Sequence, residues 1–309
     1  MGKAPHFFCL CMSPAIDATV RLPSPIIGGG EIFKDVADDE NVGGKTVNVA
    51  RHLALRGAEV SCGGLLGEEN DAAFAKELAK YGIADAFLRV PGSTRRNEMI
   101  VWPGGSVKLN RAAFPALDWN GELCGKVLAA GRIEAGAVAV VSGSLPPSVP
   151  DGFYREAIES LKKAGCFTVL DASREALAKG LEAKPDLIKP NAEECEAVVG
   201  FVPSAPEDFR RATKLLAEKS RHVIISDGAK GAWFDGEFFP APAVEVVDTT
   251  AAGDTLLAEY CYRRWAAGEE PAEAAKWAVA AGSAACTTNG GSPPPMELIR
   301  ELKERNEAL

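Results

Sequence analysis

The sequence predicts an α/β protein with a long, mostly parallel sheet covered by helices. Short apolar runs alternate with amphipathic stretches of helical period, which reads as successive βαβ units. No internal repeat or low-complexity linker interrupts the pattern, so one domain over residues 1–309 is expected. With 47% hydrophobic and 25% charged residues, a chain of 309 can bury a large core, which excludes disordered and fibrous classes.

Residues 7–11, Phe-Phe-Cys-Leu-Cys, read as the first strand. A helix over 47–55, a strand from 60 and a helix over 71–81 follow. The rhythm resumes with a strand at 137–141, a helix at 151–163 and a strand at 167–170. Helices at 192–199 and 207–219 and a strand at 222–225 continue it. Three prolines at 293–295 separate two C-terminal helices. Two segments break the rhythm: residues 18–36, with Gly28-Gly29-Gly30, and residues 95–108, where an alternating run at 97–102 meets a turn at Pro103-Gly104-Gly105. Both read as antiparallel strands outside the main sheet.

The net charge is −9 without any block of five like charges, so no nucleic-acid or anionic-membrane surface is expected, and an anionic ligand must be caught locally. No apolar run is long enough for a membrane helix and the start lacks a signal-peptide pattern, so a cytoplasmic protein is expected. Eight cysteines without a C-x-x-C pair read as reduced core thiols, and the three histidines show no metal-ligand spacing.

Two nucleotide signatures fail. Gly44-Lys45-Thr46 resembles the end of a P-loop, but Asp39 occupies the required glycine position within an acidic run that repels phosphate. A dinucleotide fingerprint from Gly28 and Gly30 meets Phe33 at its third glycine. The strongest local signal is Val247-Asp248-Thr249-Thr250-Ala251-Ala252-Gly253-Asp254, leading into a helical run through Trp265 that ends near Gly268. Small residues at a helix start leave backbone N–H groups beside the positive end of the dipole, a site for an anion such as phosphate. Asp254 fits two roles there, a plain N-cap or a base that takes a proton from an attacking hydroxyl.

Asp248-Thr249 with Ala252-Gly253-Asp254 resembles the second signature of the ribokinase-like (PfkB) carbohydrate kinases, Asp-Thr-x-Gly-Ala-Gly-Asp. Gly43-Gly44-Lys45-Thr46-Val47-Asn48-Val49-Ala50-Arg51 resembles the first. Ser13-Pro14-Ala15-Ile16-Asp17 precedes it; Thr94-Arg95-Arg96-Asn97, Ser142-Gly143-Ser144-Leu145-Pro146-Pro147, Lys189-Pro190-Asn191-Ala192-Glu193-Glu194 and Ser226-Asp227-Gly228-Ala229-Lys230-Gly231 lie between the two, each similar to a family block and in order. The pattern is nearest the branch acting on sugar phosphates, which holds 1-phosphofructokinase, tagatose-6-phosphate kinase and the minor 6-phosphofructokinase.

The resemblance implies a ribokinase-like three-layer α/β/α sandwich with a small β-sheet lid, from about 14–36 and 94–112, closing over the sugar. It implies an ATP- and Mg²⁺-dependent kinase of a sugar-phosphate hydroxyl, most nearly a ketohexose monophosphate. Asp17, Asn48, Gly43, Gly44 and Ser144 fall at sugar-binding positions. Arg95, with Lys34 and Lys45, falls where the phosphate already on the sugar is held. Asp254 is then the base, with the amides of Ala252, Gly253 and Asp254 as the anion hole and Ala251 beside them. Lys189, Asn191, Ser226, Gly228, Gly231, Thr249 and Asn289 fall at ATP positions, and Asn191 with Glu194 at the Mg²⁺ position. Family lids commonly pair between subunits, which suggests a homodimer through the lid.

Two family glycines are replaced, by Ala251 and Thr46. Where φ must be positive, alanine costs on the order of 1 kcal/mol, and Thr46 is expected to narrow the sugar site. These departures keep two alternatives open: a kinase of an uncharged sugar or nucleoside with the same fold, and a weakened sugar-phosphate or nucleotide sensor.

Overall fold

The computed structural model describes residues 4–26, 28–34, 36–111, 121–131, 133–289 and 291–308. Among the described residues the strands are, in chain order, β1 (Phe7–Cys11), β2 (Ala15–Arg21), β3 (Ala37–Gly43), β4 (Val60–Gly67), β5 (Ala84–Val90), β6 (Arg96–Trp102), β7 (Gly105–Asn110), β8 (Val138–Ser142), β9 (Phe167–Asp171), β10 (Leu187–Ile188), β11 (His222–Ser226), β12 (Gly231–Phe234) and β13 (Glu237–Pro240). The helices are α1 (Lys45–Leu55), α2 (Ala72–Lys80), α3 (Leu123–Ala130), α4 (Phe153–Lys163), α5 (Arg174–Gly180), α6 (Ala192–Val199), α7 (Pro206–Leu216), α8 (Ala252–Cys261), α9 (Pro271–Ala285) and α10 (Met296–Glu307).

Nine strands form the main sheet in the order β13-β12-β11-β10-β9-β8-β1-β4-β5. From β11 to β5 every neighbouring pair is parallel; β12 and β13 add an antiparallel edge that the sequence pattern did not single out. The two-residue period of a strand divides β1 between two cores. Phe7, Cys9 and Cys11 pack with residues of α1, α8 and α9 on one face, while Phe8 and Leu10 pack with those of α3, α4 and α7 on the other. This makes the expected three-layer sandwich. All eight cysteines are free and seven are buried. No helix among the described residues is long and apolar enough to cross a membrane.

A second sheet of four strands, ordered β3-β2-β6-β7, stands apart from the first. Its second half matches the expectation, since β6 and β7 hairpin through Pro103-Gly104, but its first half is a correction. Residues 22–36 form no strand where they are described; the partner of β2 is β3, the acidic stretch Ala-Asp-Asp-Glu-Asn-Val-Gly, paired from Ala15↔Gly43 to Arg21↔Ala37. β3 is an edge strand, where solvated acids are tolerated and discourage pairing with another chain. Residues 27, 35 and 112 of the expected lid lie outside the described residues.

Candidate active site

The parallel strands end at one edge of the main sheet, the side on which open α/β sheets bind ligands. Register lines up Cys11, Ser142 and Asp171 as the last residues of β1, β8 and β9. Lys189 follows directly on β10. The N-termini of α1 and α8 meet the same edge, and they bring together two residues 206 apart: Asn48 Nδ2 donates to Asp254 Oδ2 at 2.8 Å.

Asp254 lies in the first turn of α8 and is 6% exposed. Burial pushes its carboxyl up, and the negative Asp171 adds to this; the Asn48 bond and the Lys45 and Lys189 ammoniums pull the other way, leaving it at about 6. Asp254 caps nothing: the residue at the cap is Ala251, without a side-chain cap bond. Ala251 has φ 63°, so the left-handed conformation that glycine adopts freely is required at this position. The Ala252 N–H donates to the Thr249 carbonyl at 3.3 Å, which removes it from the expected anion hole. Among the described residues the N–H groups of Gly253 and Asp254 have no acceptor, and they remain to meet an anion.

Asp17 on β2 accepts from Asn97 Nδ2 at 2.7 Å across the small sheet. Gly43 packs against it so closely that a Cβ would stand 2.0 Å from Asp17 Oδ2, so only glycine admits the carboxylate here. Gly44 is the cap residue of α1, with φ 126°. The Arg95 guanidinium is anchored by the carbonyls of Pro14, 3.3 Å from Nε, and Ser13, 3.2 Å from Nη2. Lys34 is exposed in irregular chain ahead of β3, and Ser144 is exposed in the turn after β8. Thr46 corrects an expectation: it is fully buried, its hydroxyl shared between the carbonyls of Leu10 at 3.0 Å and Ser142 at 2.9 Å. Its branch fills the junction of α1 with the sheet and does not narrow a sugar site.

Lys45 Nζ and Lys189 Nζ both lie 3.3 Å from Asp171 Oδ1. Burial alone lowers the Lys45 pKa, but Asp171, Asp254 and Glu194 outweigh it and raise it. Asp171, without exposed surface, would be pushed up by burial, yet Lys189 and Lys45 hold it below the ordinary carboxylate range. The motif search missed Asp171. Its one signal was position, an acid closing an apolar strand at the ligand-binding edge.

Asn191 and Glu194 form a capping box on α6: Asn191 Oδ1 accepts the Glu194 N–H at 2.7 Å and Glu194 Oε2 accepts the Asn191 N–H at 2.9 Å. This commits the Asn191 carbonyl and leaves Glu194 Oε1 outside the box. No cluster of three metal-ligating side chains exists among the described residues. That donor set fits Mg²⁺, which is commonly held by one or two carboxylates plus phosphate and water. Asn191 also bridges to Ser226 at the end of β11. Gly228 is exposed at the following turn. Gly231 is buried, with φ 136°, and its Cβ would stand 2.1 Å from the Phe239 carbonyl, so only glycine fits this position. Thr249 and Asn289 are exposed in loops flanking α8 and α9.

Residues 20–297 match the pfkB family of carbohydrate kinases. The chain belongs to that family. A 1-phosphofructokinase of Rhodobacter capsulatus is 32% identical over 94% of this chain and 93% of its own length, and that of Haemophilus influenzae is 37% identical over 71% of this chain and 72% of its own. Escherichia coli phosphofructokinase-2, solved with fructose-6-phosphate, superposes with a TM-score of 0.84 at 26% identity, covering 98% of this chain and 99% of that one. This pfkB chain therefore carries the ribokinase-like sandwich that its sequence resemblance implied.

Proposed function

We propose that this carbohydrate kinase transfers the γ-phosphoryl group of ATP to a hydroxyl of a ketohexose monophosphate, with fructose 1-phosphate as the acceptor. The observation that carries the chemistry is the pairing of a buried carboxylate with unpartnered amides at one helix end. Asp254, poised near 6, is ionised at neutral pH and takes the proton as the acceptor hydroxyl attacks phosphorus. The new O–P bond forms, the bond to the β-phosphate oxygen breaks, and ADP leaves with that electron pair. The Gly253 and Asp254 amides, at the positive end of α8, meet the charge on the phosphoryl oxygens. Asn48 fixes the Asp254 carboxylate.

Asp17 and Asn48 orient the sugar hydroxyls, and Gly43 admits Asp17 to that position. Arg95, anchored through Nε and Nη2, turns its remaining N–H groups to the substrate's standing phosphate. Lys34 joins it on closure of the small sheet, which acts as a lid and excludes water from the transfer. Glu194, through Oε1, would hold Mg²⁺, with Asn191 fixing the other carboxylate oxygen in the capping box; the ion would supply charge neutralisation on the ATP phosphates. Lys189, Ser226, Gly228, Thr249 and Asn289 line the nucleotide side. The 1-phosphofructokinase relatives support the substrate class. The relief of Thr46 from the sugar site removes one ground for an altered substrate or a non-catalytic sensor.

An ADP-release assay with Mg-ATP tests this across fructose 1-phosphate, fructose 6-phosphate, tagatose 6-phosphate, fructose, ribose and adenosine. Turnover is expected on fructose 1-phosphate, with far weaker rates on the uncharged acceptors. Turnover confined to an uncharged acceptor would overturn the reading, and no ADP release on any of them would favour a sensor.

A further inference from the structure

Asp171 cannot touch substrate, because its side chain has no exposed surface. It is nonetheless the most heavily engaged acid at the ligand edge of the sheet. Oδ1 takes both ammoniums at 3.3 Å, and Oδ2 accepts from Ser142 Oγ at 3.2 Å. Two lysines from distant parts of the chain, on α1 and after β10, converge on one oxygen. Lys189 Nζ also reaches the N-terminus of α8, where a Cβ on Gly253 would lie 3.4 Å from it. The Lys189 ammonium thus sits beside the unpartnered amides in the buried interior, at 4% exposure, and Lys45 reaches the same carboxylate from the more open side. Long lysine stems are costly to order at the moment of reaction, and a group that orders them beforehand removes that cost from the transition state.

We propose that Asp171 is a positioning residue, which holds Lys45 and Lys189 on one buried carboxylate so that both ammoniums meet the phosphoryl group in transfer. This assigns Lys45 to the travelling phosphate, leaving Arg95 and Lys34 to the one already on the sugar. The inference rests on the kinase reading above. The same geometry ties Asp171 to the base: the charged groups that reach Asp254 are Asp171, Lys45 and Lys189, with Asn48 donating a hydrogen bond.

Two substitutions move the base in opposite directions, which a merely structural role would not do. In Asp171→Asn a nearby negative charge is lost, so the acid limb of kcat/KM shifts to lower pH. In Lys45→Met a nearby positive charge is lost, so the limb shifts to higher pH. The substrate phosphate itself titrates near 6, but the comparison is between variant and wild type on one substrate, where that contribution cancels. Asp171→Asn is also expected to lower kcat/KM for Mg-ATP by about tenfold or more. A limb that moves the same way in both variants, or an Asp171→Asn enzyme within about twofold of wild type, overturns the proposal. Lys45→Met alone decides the matter if Asp171→Asn does not fold, since a limb that stays or falls refutes it.

Calorimetric titration supplies an arm that needs no turnover. Asp171→Asn should weaken a non-hydrolysable ATP analogue several-fold while AMP binding is unchanged. Equal loss for both, or tighter binding of the analogue, refutes the positioning role. A wild-type enzyme silent on every acceptor would instead strike the kinase reading, with the calorimetric result still deciding whether Asp171 orders a phosphate site.

Discussion

Asp254 shows how a single residue trades stability for chemistry. Its carboxyl titrates at about 6 in the fold, against 3.8 for an ordinary aspartate, so the folded protein binds the proton more tightly than the unfolded chain does. Stability on this account falls as pH rises from about 4 through 6, and the ionised group costs on the order of 3 kcal/mol above that range. The same ionisation is what a base requires. Asp254→Asn should therefore lose turnover by at least about a thousandfold while melting at a higher temperature than wild type at pH 8. At pH 4 the two melting temperatures should converge. A variant that keeps most of its rate, or that is less stable at pH 8, would remove Asp254 from the centre of the mechanism.

At this scale the sequence was informative where chemistry needs a residue type and silent where packing decides. Asp254, Asn48 and Asp17 were legible from their motifs. The direction of Thr46 was not, because a hydroxyl facing two strand-end carbonyls looks, in sequence, like one facing a ligand. Ala251 lay between these cases: the family pattern suggested a left-handed position, and only the backbone gave φ 63°.

Among elements, the decisive contact is α1 against α8, since one supplies Asn48 and the other Asp254. A turn further along both helices a second, wholly buried contact repeats the pairing. His52 Nε2 lies 2.7 Å from Glu259 Oε2, and Glu259 also takes Arg56 Nε at 3.1 Å and Arg263 Nε at 2.7 Å. A carboxylate can only accept, so His52 Nε2 carries the proton. Arg263 comes from the π-helical turn Tyr262–Ala266, and its guanidinium also covers the Trp277 ring at 3.6 Å from the centroid. Three basic groups thus share one buried acid, and Arg263 has Glu269 Oε1 as a second partner at 2.7 Å. Glu259→Gln should cost about 3 kcal/mol or more, because it leaves Arg56 without its buried acid and Arg263 with Glu269 alone. His52→Gln keeps a donor and should cost less than about 1.5 kcal/mol. Urea denaturation of the two variants checks the order, and a reversal would show that His52 rather than Glu259 is the keystone of the helix pair.

Periodicity placed most helices and parallel strands within a few residues, since these elements bury one stripe or both faces. β3 escaped because it buries almost nothing: five of its seven residues are exposed, so no apolar period exists to read. β12 and β13 escaped for a related reason, being a short edge hairpin whose turn is set by backbone conformation at Asp235 and Gly236.

For the whole molecule, the two faces of the small sheet have different work. Pairing in register puts Asp17 and Asn97 on one face, toward the proposed sugar site. Val107 pairs with Ile100, three residues beyond Asn97 and hence on the opposite face, and Leu109 lies two further along. Val107 is 39% and Leu109 43% exposed on β7, an edge strand of the small sheet; on the same face Ile16 and Val42 pack into the core with α1, so the exposed apolar surface lies toward β7. An apolar face on so thin a sheet is poorly stabilised in isolation, and a second copy of the same sheet is a partner of matching shape and chemistry. The protein is therefore expected to be a homodimer joined through this face. Changing Val107 and Leu109 together to glutamate should yield monomers by sedimentation at micromolar concentration. The main sandwich, whose cores lie elsewhere, should keep its melting temperature. Since the sugar-facing residues would then stand on an unsupported sheet, KM for the sugar phosphate should rise more than KM for ATP. A wild-type protein that sediments as a monomer would refute the dimer, and a monomeric variant with unchanged sugar KM would show that the lid closes without a partner.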